Sequence, residues 1–167
     1  MTINHVNLNS PLENLNDFIA RVPDGHSIAG LDVGTKTIGI GISDTNKVVA
    51  TPHKTIIRSR FSKDAKVILA IEQDWGIGGY IIGLPKNMDG TLGPKVQSVQ
   101  AFAHNFCQYT TKPVSFWDER LSSVSAEKYL IESNTSRKKR AKQIDNIAAS
   151  LILQTALDYF RYQKDLR

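Results

Sequence analysis

Between residues 28 and 57 the chain carries three strand-like runs joined by links too short for anything but a reversal of direction, and this constrains the fold more than any other feature. Ile28–Val33 and Thr37–Ser43 are parted only by Gly34-Thr35-Lys36, and the Asp44–Lys47 turn leads into Val48–Ile57. Runs rich in Ile, Val and Thr, bounded by such links, read as consecutive antiparallel strands. Past residue 57 the pattern alternates. Ser62–Asp74 reads as a helix with Ser62 as N-cap and with Val67, Ile68, Ile71 and Trp75 along one side. Gly79–Leu84 is a continuously apolar run of the kind buried on both faces of a parallel sheet. Pro94–Tyr109 is a helix opening on proline, and Pro113–Trp117 is the fifth strand. Ser122 or Ser123 caps a helix to about Ile131, and a last helix runs from about Ala141 to Tyr162 with Ile144, Ile147, Ala148, Leu151, Ile152 and Leu157 inward. The sum is an α/β fold, a mixed five-stranded sheet flanked by helices, in which ligands bind outside the carboxyl ends of the strands.

A chain of 167 residues, 41% hydrophobic and 22% charged, suits one core of ordinary globular type. No apolar run nears the roughly 18 residues that span a bilayer. The first residues, with His5, Asn7, Asn9 and Asn14, lack the basic and apolar regions of a signal peptide. The single cysteine, Cys107, has no disulfide partner and is expected in the core beside Phe106, and four scattered histidines give no zinc spacing. A cytoplasmic protein without membrane contact is the expectation. Residues 1–26 read as an N-terminal extension, with Leu12, Leu15, Ile19 and Val22 at helical spacing between Pro11 and Val22, and residues 27–167 as the domain proper.

The net charge of +5 has one source. Arg137, Lys138, Lys139, Arg140 and Lys142 account for it, because the other basic residues match the 16 acidic ones in number. A positive segment of this kind suits a polyanion, the plain alternative being a solvated loop that aids solubility.

Three acidic positions stand out. Asp32 lies among Ile28, Ala29, Gly30, Leu31, Val33 and Gly34, where an ionised carboxylate is costly without a cation or donors. It is either a turn-capping residue or part of a site, and the flanking glycines favour a site by letting a bulky ligand approach the backbone. Asp118 and Glu119 follow the fifth strand; because successive strand residues face opposite ways, only one of them shares a side with Asp32 unless the strand has ended. Asp145 has Ala141, Ala148 and Ala149 one turn away on its helix, which leaves room for a sheet or an ion, although an acid near a helix N-terminus also needs no ligand. Carboxylates gathered without imidazole or thiolate suit the hard ions Mg²⁺ or Mn²⁺, and such ions in pairs clamp an in-line phosphoryl displacement. A polyanion partner and an acidic metal site together point to phosphodiester hydrolysis.

The runs Ile28-Ala29-Gly30-Leu31-Asp32-Val33-Gly34-Thr35-Lys36-Thr37-Ile38-Gly39-Ile40-Gly41-Ile42-Ser43-Asp44, Ile82-Gly83-Leu84-Pro85-Lys86-Asn87-Met88-Asp89-Gly90-Thr91 and Asp118-Glu119-Arg120-Leu121-Ser122-Ser123, with the helix around Asp145, resemble the signature stretches of the YqgF-type (RuvX) family. These are Holliday-junction-resolvase-like nucleases, and the resemblance runs from about Ser27 to Tyr162. It implies a ribonuclease-H-like fold, a divalent metal, and an acidic constellation of Asp32, Asp118, Glu119 and Asp145 that is both catalytic and metal-binding. It also implies maturation of the small-subunit ribosomal RNA precursor, with Holliday junction resolution in DNA repair as the alternative. The related resolvases carry their second acid on the fourth strand, where this chain has Ile82-Gly83-Leu84. The Asp-Glu of the fifth strand stands in for it, and which of the two binds metal is open.

Around the acids, Thr35 and Lys36 sit where a first-strand turn meets a phosphate, and Arg120 is placed to hold a phosphate or brace its acidic neighbours. Lys86 and Asn87 open a polar loop suited to nucleic-acid backbone, and Arg137, Lys138, Lys139, Arg140 and Lys142 complete the expected binding set. Trp75 and Trp117 are expected in the core. The partner is a structured RNA precursor or branched DNA, and the chain a monomer or weak homodimer. Two rivals come from other classes. A catalytically silent nucleic-acid-binding module would use the same surface, and an actin-like ATP-binding protein would share the Asp32-to-Gly39 pattern but needs two such domains.

Overall fold

The structure is a computed structural model that describes residues 10–87, 89–118 and 137–166, and within 137–145 the backbone alone. The elements run α1 (Leu15–Arg21), β1 (Ser27–Val33), β2 (Thr37–Ser43), β3 (Ala50–Ile57), α2 (Phe61–Trp75), β4 (Ile77–Leu84), α3 (Pro94–Phe106), β5 (Val114–Asp118) and α4 (Arg137–Asp165). One five-stranded sheet is ordered β3-β2-β1-β4-β5. β1, β2 and β3 form the antiparallel meander, while β4 and β5 lie parallel to β1. This is the mixed five-stranded sheet read from the sequence.

Side-chain alternation divides the sheet into two faces. Ala29, Leu31, Val33, Tyr80, Ile82, Leu84 and Val114 join one buried cluster with Ala65, Ile68 and Ile71 of α2 and Val96, Val99, Phe102, Ala103 and Phe106 of α3. Ile28 and Ile81 join the other, with Phe18 and Val22 at α1 and Ile152, Leu153, Ala156, Leu157 and Phe160 of α4.

Local chemistry accounts for the ends. Asn14 caps α1 by accepting the Asn16 and Asp17 amides at 2.8 and 3.3 Å. Asp44 Oδ1 accepts the Val48 and Val49 amides and closes the β2–β3 turn. Gly76, at φ +61°, ends α2 in the left-handed conformation that glycine adopts without strain. Pro52 falls on β3, an edge strand, beside a register irregularity at Ile40 and Gly41, which is where a sheet tolerates a missing N–H.

Several boundaries differ from expectation. Ser62 is not the cap of α2: the helix opens at Phe61 after Arg60, with no side-chain cap. Trp75 is 55% exposed rather than core, its ring edge-on to His53. α1 is shorter than the Pro11–Val22 pattern because Leu12 is extended, its amide donating to the Val114 carbonyl beside β5. Phe18 is the fully buried residue of α1, with Leu15 and Ile19 at the margin. The inward stripe of α4 is Ala148, Ala149, Ile152, Leu153, Ala156 and Leu157, rotated away from Ile147 and Leu151. That rotation follows from the sheet, where glycines accept a flat helix face. The helix expected from Ser122 or Ser123 to Ile131 lies outside the described residues. No helix among those described is long and apolar enough to cross a membrane.

Candidate functional site

Gly30 and Gly41 are partners in the β1–β2 register, and α4 descends on them to backbone contact. A Cβ on Gly30 would meet the Ala149 carbonyl oxygen at 2.7 Å and Leu153 Cβ at 2.8 Å, and one on Gly41 would meet Ser150 Cα at 2.8 Å. Of the two glycines flanking Asp32, Gly30 thus admits a helix rather than the ligand expected from the sequence, while Gly34 lies on the turn after β1. Further along, Phe160 stacks on Phe18, whose ring end lies against Gly79, the β4 partner of Ile28. α4 therefore runs antiparallel to β1.

This fixes what lies at the carboxyl end of β1. Asp32 is two residues beyond Gly30, so it shares Gly30's side of the sheet, the α4 side, and its register partner is Gly39. Residues 145 and 146 are one helical turn before Ala149 and Ser150. Four residues of helix and two of strand both advance about 6 Å, so the backbone at 145 and 146 comes over the Asp32–Gly39 pair. Asp32 is half-buried there, and Gly39 adds no side chain to the gap.

Asn146, not singled out by the sequence reading, is the notable neighbour. Its Oδ1 is buried and has no hydrogen-bond partner. An orphaned acceptor of this kind costs about 1–3 kcal/mol. The available signal was a polar residue directly after Asp145 and one helical turn before the buried Ala149.

Asp118 ends β5 opposite Leu84, half-buried, with the parity of Phe116, which packs with α2 and α3. By alternation it occupies the face away from Asp32. Glu119 and Arg120 lie outside the described residues, as do the side chains of Asp145, Arg137, Lys138, Lys139, Arg140 and Lys142. Among the described residues no three His, Cys, Asp or Glu side chains converge as metal ligands. The backbone from Arg137 onward is already helix, so Arg137–Lys142 form the opening turns of α4 rather than a loop between helices.

On the α3 side of β1 a cleft of about 210 Å³ is lined by Asp32, Val33, Gly34, Thr35, Pro85, Lys95, Ser98 and Val99. Thr35 and Lys36 are exposed on the turn closed by the Gly34 amide donating to the Thr37 carbonyl at 2.8 Å. Lys86 is half-buried at the end of β4, with its amide on the Leu84 carbonyl. Asn87 directs its side-chain amide to Thr91 Oγ1 at 3.0 Å, and Asp89 Oδ1 accepts from the Thr91 amide and hydroxyl, so this loop is braced from within. A larger hollow of about 480 Å³, between α1, the β2–β3 turn and the end of α4, is remote from the acids. Cys107 takes no part, because burial pushes its thiol up to about 11 and the residue is core, as expected.

Comparison with known proteins shows the family and the fold. A family model described as "RuvX: Holliday junction resolvase" matches residues 26–159. A protein of Paracoccus denitrificans named "Putative pre-16S rRNA nuclease" is 50% identical over 150 residues, covering 90% of this chain and 95% of its own. One of Ruegeria pomeroyi with the same name is 50% identical over 149 residues, covering 89% and 97%. Among solved structures, T. thermophilus RuvC in complex with Holliday junction substrate superposes with a TM-score of 0.51 at 11% identity, over 76% of this chain and 91% of the other. At that identity the likeness speaks for the fold, which is the ribonuclease-H-like one of the resolvases. With its register-paired glycines, its acid at the end of β1 and this breadth of sequence identity, the chain belongs to the RuvX family.

Proposed function

We propose that the protein is a divalent-metal-dependent nuclease that hydrolyses phosphodiester bonds in the small-subunit ribosomal RNA precursor. The observation that carries this reading is the descent of α4 onto Gly30 and Gly41, which sets residues 145 and 146 over Asp32 and its glycine partner. Every donor in the proposed set is a hard oxygen: Asp32, Asp145, Glu119 or Asp118, and the partnerless Oδ1 of Asn146. That chemistry fits Mg²⁺ or Mn²⁺. When bound, such an ion supplies a Lewis acid and a low-pKa water. The chain's own residues do the rest. Asp32 and Asp145 would hold the ion, and Asn146 would offer a neutral oxygen. Thr35, Lys36, Lys86, Asn87 and Arg120 engage the strand's phosphates. The parity of Asp118 argues that Glu119 is the acid of that pair acting with Asp32.

Arg137, Lys138, Lys139, Arg140 and Lys142 place five basic residues within six positions in the opening turns of α4. Cations oppose the dipole at a helix N-terminus, so their use there fits a bound polyanion better than stability. We further take residues 27–167 as the nuclease domain and 1–26 as an N-terminal extension whose helix closes the second core, in a cytoplasmic monomer or weak homodimer. Junction resolution is the second reading, favoured by the RuvC-like fold and requiring a symmetric dimer with two sites.

The test is cleavage of a small-subunit precursor RNA beside single-stranded RNA and a four-way DNA junction. Cleavage of the precursor should vanish with EDTA and in Asp32→Asn, while Glu119→Gln should lose far more than Asp118→Asn. Full cleavage in EDTA or by Asp32→Asn overturns the metal-dependent reading, and cleavage confined to the junction selects the second.

A further inference from the structure

The cleft on the α3 side of Asp32 lies outside every residue assigned above except Asp32 and Thr35, and its lining sets polar side chains against an apolar floor. Lys95 and Ser98, both exposed, stand on α3; Thr35 contributes a hydroxyl from the β1–β2 turn; Val33, Val99 and Pro85 supply apolar walls. Asp32 is the single carboxylate in the lining, and its place in the strand alternation puts its side chain on the other face, toward α4. What remains toward α3 is a cation and two hydroxyls against an apolar floor.

Beside it stands Arg58, at the end of β3 and intermediate in exposure. Arg58 Nη1 donates to the Gly34 carbonyl at 2.7 Å, and its own amide donates to the Lys36 carbonyl at 2.9 Å. The guanidinium lies 5.7 Å from the centroid of Phe102, one turn past Ser98 on α3. One side chain thus ties the turn that follows Asp32 to the helix that carries Lys95 and Ser98. Three elements distant in sequence are joined around one hollow. A guanidinium has five N–H donors, and one of them accounts for the bond to Gly34.

We propose that this cleft is a phosphate subsite for the nucleic-acid strand, adjoining the scissile position, with Lys95 and Ser98 as its contacts and Arg58 as a positioning residue for the Gly34–Lys36 turn. The proposal rests on the nuclease reading and deepens it. The strand crosses the carboxyl end of β1, presenting one phosphate to the acids on the α4 side and a neighbouring one to Lys95 on the α3 side. Lys95 acts as a point charge with freely rotating donors, Ser98 and Thr35 add neutral hydrogen bonds, and Arg58 keeps Thr35 facing the cleft.

The experiment measures binding of the full chain to a labelled RNA oligonucleotide in EDTA at several salt concentrations, then single-turnover and steady-state cleavage with Mg²⁺. The Lys95→Ala/Ser98→Ala variant should bind about tenfold more weakly with a salt slope smaller by about one. Its KM should rise while kcat stays within about twofold. Lys95→Arg should restore both, whereas Lys112→Ala, at the far end of the sheet, should change neither. Replacing one phosphate next to the scissile one by a neutral methylphosphonate should weaken the wild type equally and the double variant no further. Arg58→Ala should lower kcat as well as affinity, because the turn beside Asp32 loses its tether, and Arg58→Lys should recover affinity more than kcat. An unchanged affinity and salt slope in the double variant overturns the subsite, as does competition by inorganic phosphate that is equally effective in both proteins. RNA binding without cleavage by the wild type overturns the nuclease reading alone, since the binding comparison still decides the subsite. No RNA binding by the wild type overturns both.

Discussion

On one face of the sheet, α2 and α3 are held off by bulky side chains: Tyr80, Phe102 and Phe106 stack edge-on and face-on between strands and helices. On the other face α4 rests on Gly30 and Gly41 with alanine and serine between, close enough that a single added methyl group would collide. The first arrangement tolerates small shifts, because large side chains change rotamer to absorb them. The second transmits a shift of the helix directly to whatever its opening turns carry. Placing an acid of the proposed site on the glycine-packed face fixes its separation from β1 through backbone contact, and leaves the thicker face to supply stability. Glu72 braces that thicker face by accepting from the Tyr80 hydroxyl at 2.5 Å and the Thr110 hydroxyl at 2.8 Å. On the thin face Gln154 ties α4 to the start of β3, accepting the Ala50 amide and donating to the Val48 carbonyl.

If the comparison holds, the largest losses of stability come from emptying either core and leave the chemistry alone. Phe106→Ala and Phe18→Ala should each lower the unfolding free energy by about 3–5 kcal/mol, read by urea denaturation, with cleavage per folded molecule unchanged. An equal loss at Phe18 would make α1 part of the cooperative unit, and removal of residues 1–24 at only a modest loss would show the second core closing without it.

Gly30→Ala should lose less stability, about 1–3 kcal/mol, and far more activity. The added methyl must push α4 away from Asp32. If Gly30→Ala cleaves like the wild type once its folded fraction is known, close packing does not set the site.

A smaller effect belongs to Asn146. Asn146→Ala should weaken Mn²⁺ binding, by calorimetry, about tenfold. It should also stabilise the metal-free protein by about 1 kcal/mol, because the partnerless buried oxygen is gone. A loss of stability without metal would mean that the oxygen finds a partner in solution.

The smallest effect lies on the thick face at the sheet edge. Burial against Trp75 lowers the His53 pKa below its ordinary 6.5, with Lys54 adding to the shift. The unfolded chain then binds the proton more readily. His53 thus contributes stability in full above pH 6.5, and that contribution is lost as pH falls through the lower folded value. The melting temperature of His53→Gln should be less sensitive to pH than the wild type's in that window, with no change in cleavage per folded molecule.

The meander, the two parallel strands and the helices after them were legible because each rests on local periodicity. Short Gly-containing links force antiparallel neighbours, and a continuous apolar run such as Gly79–Leu84 belongs in a sheet covered on both sides, although the strand itself opens two residues earlier at Ile77. Asp32 was legible as an ionisable group in an apolar run. The inward stripe of α4 was misread because Ile147 and Leu151 outweigh alanines in any hydrophobic pattern, whereas a helix against glycines buries its smallest face. The opening of α4 was placed too late because four consecutive basic residues look like a solvated loop, although Lys and Arg are good helix formers.

The sequence by itself determined the order of elements, the pairing of neighbours and the candidate acids, since all three follow from patterns within a few residues or from motifs at fitting intervals. Only the tertiary structure decided which face of the sheet Asp32 and Asp118 occupy, what Gly30 and Gly41 admit, and that Arg58, Lys95 and Ser98 lie about the turn that follows β1 while Asn146 lies on the α4 side. Those outcomes depend on register and on helix-to-sheet distance. Both are set by contacts between residues tens to more than a hundred positions apart, which no local pattern encodes.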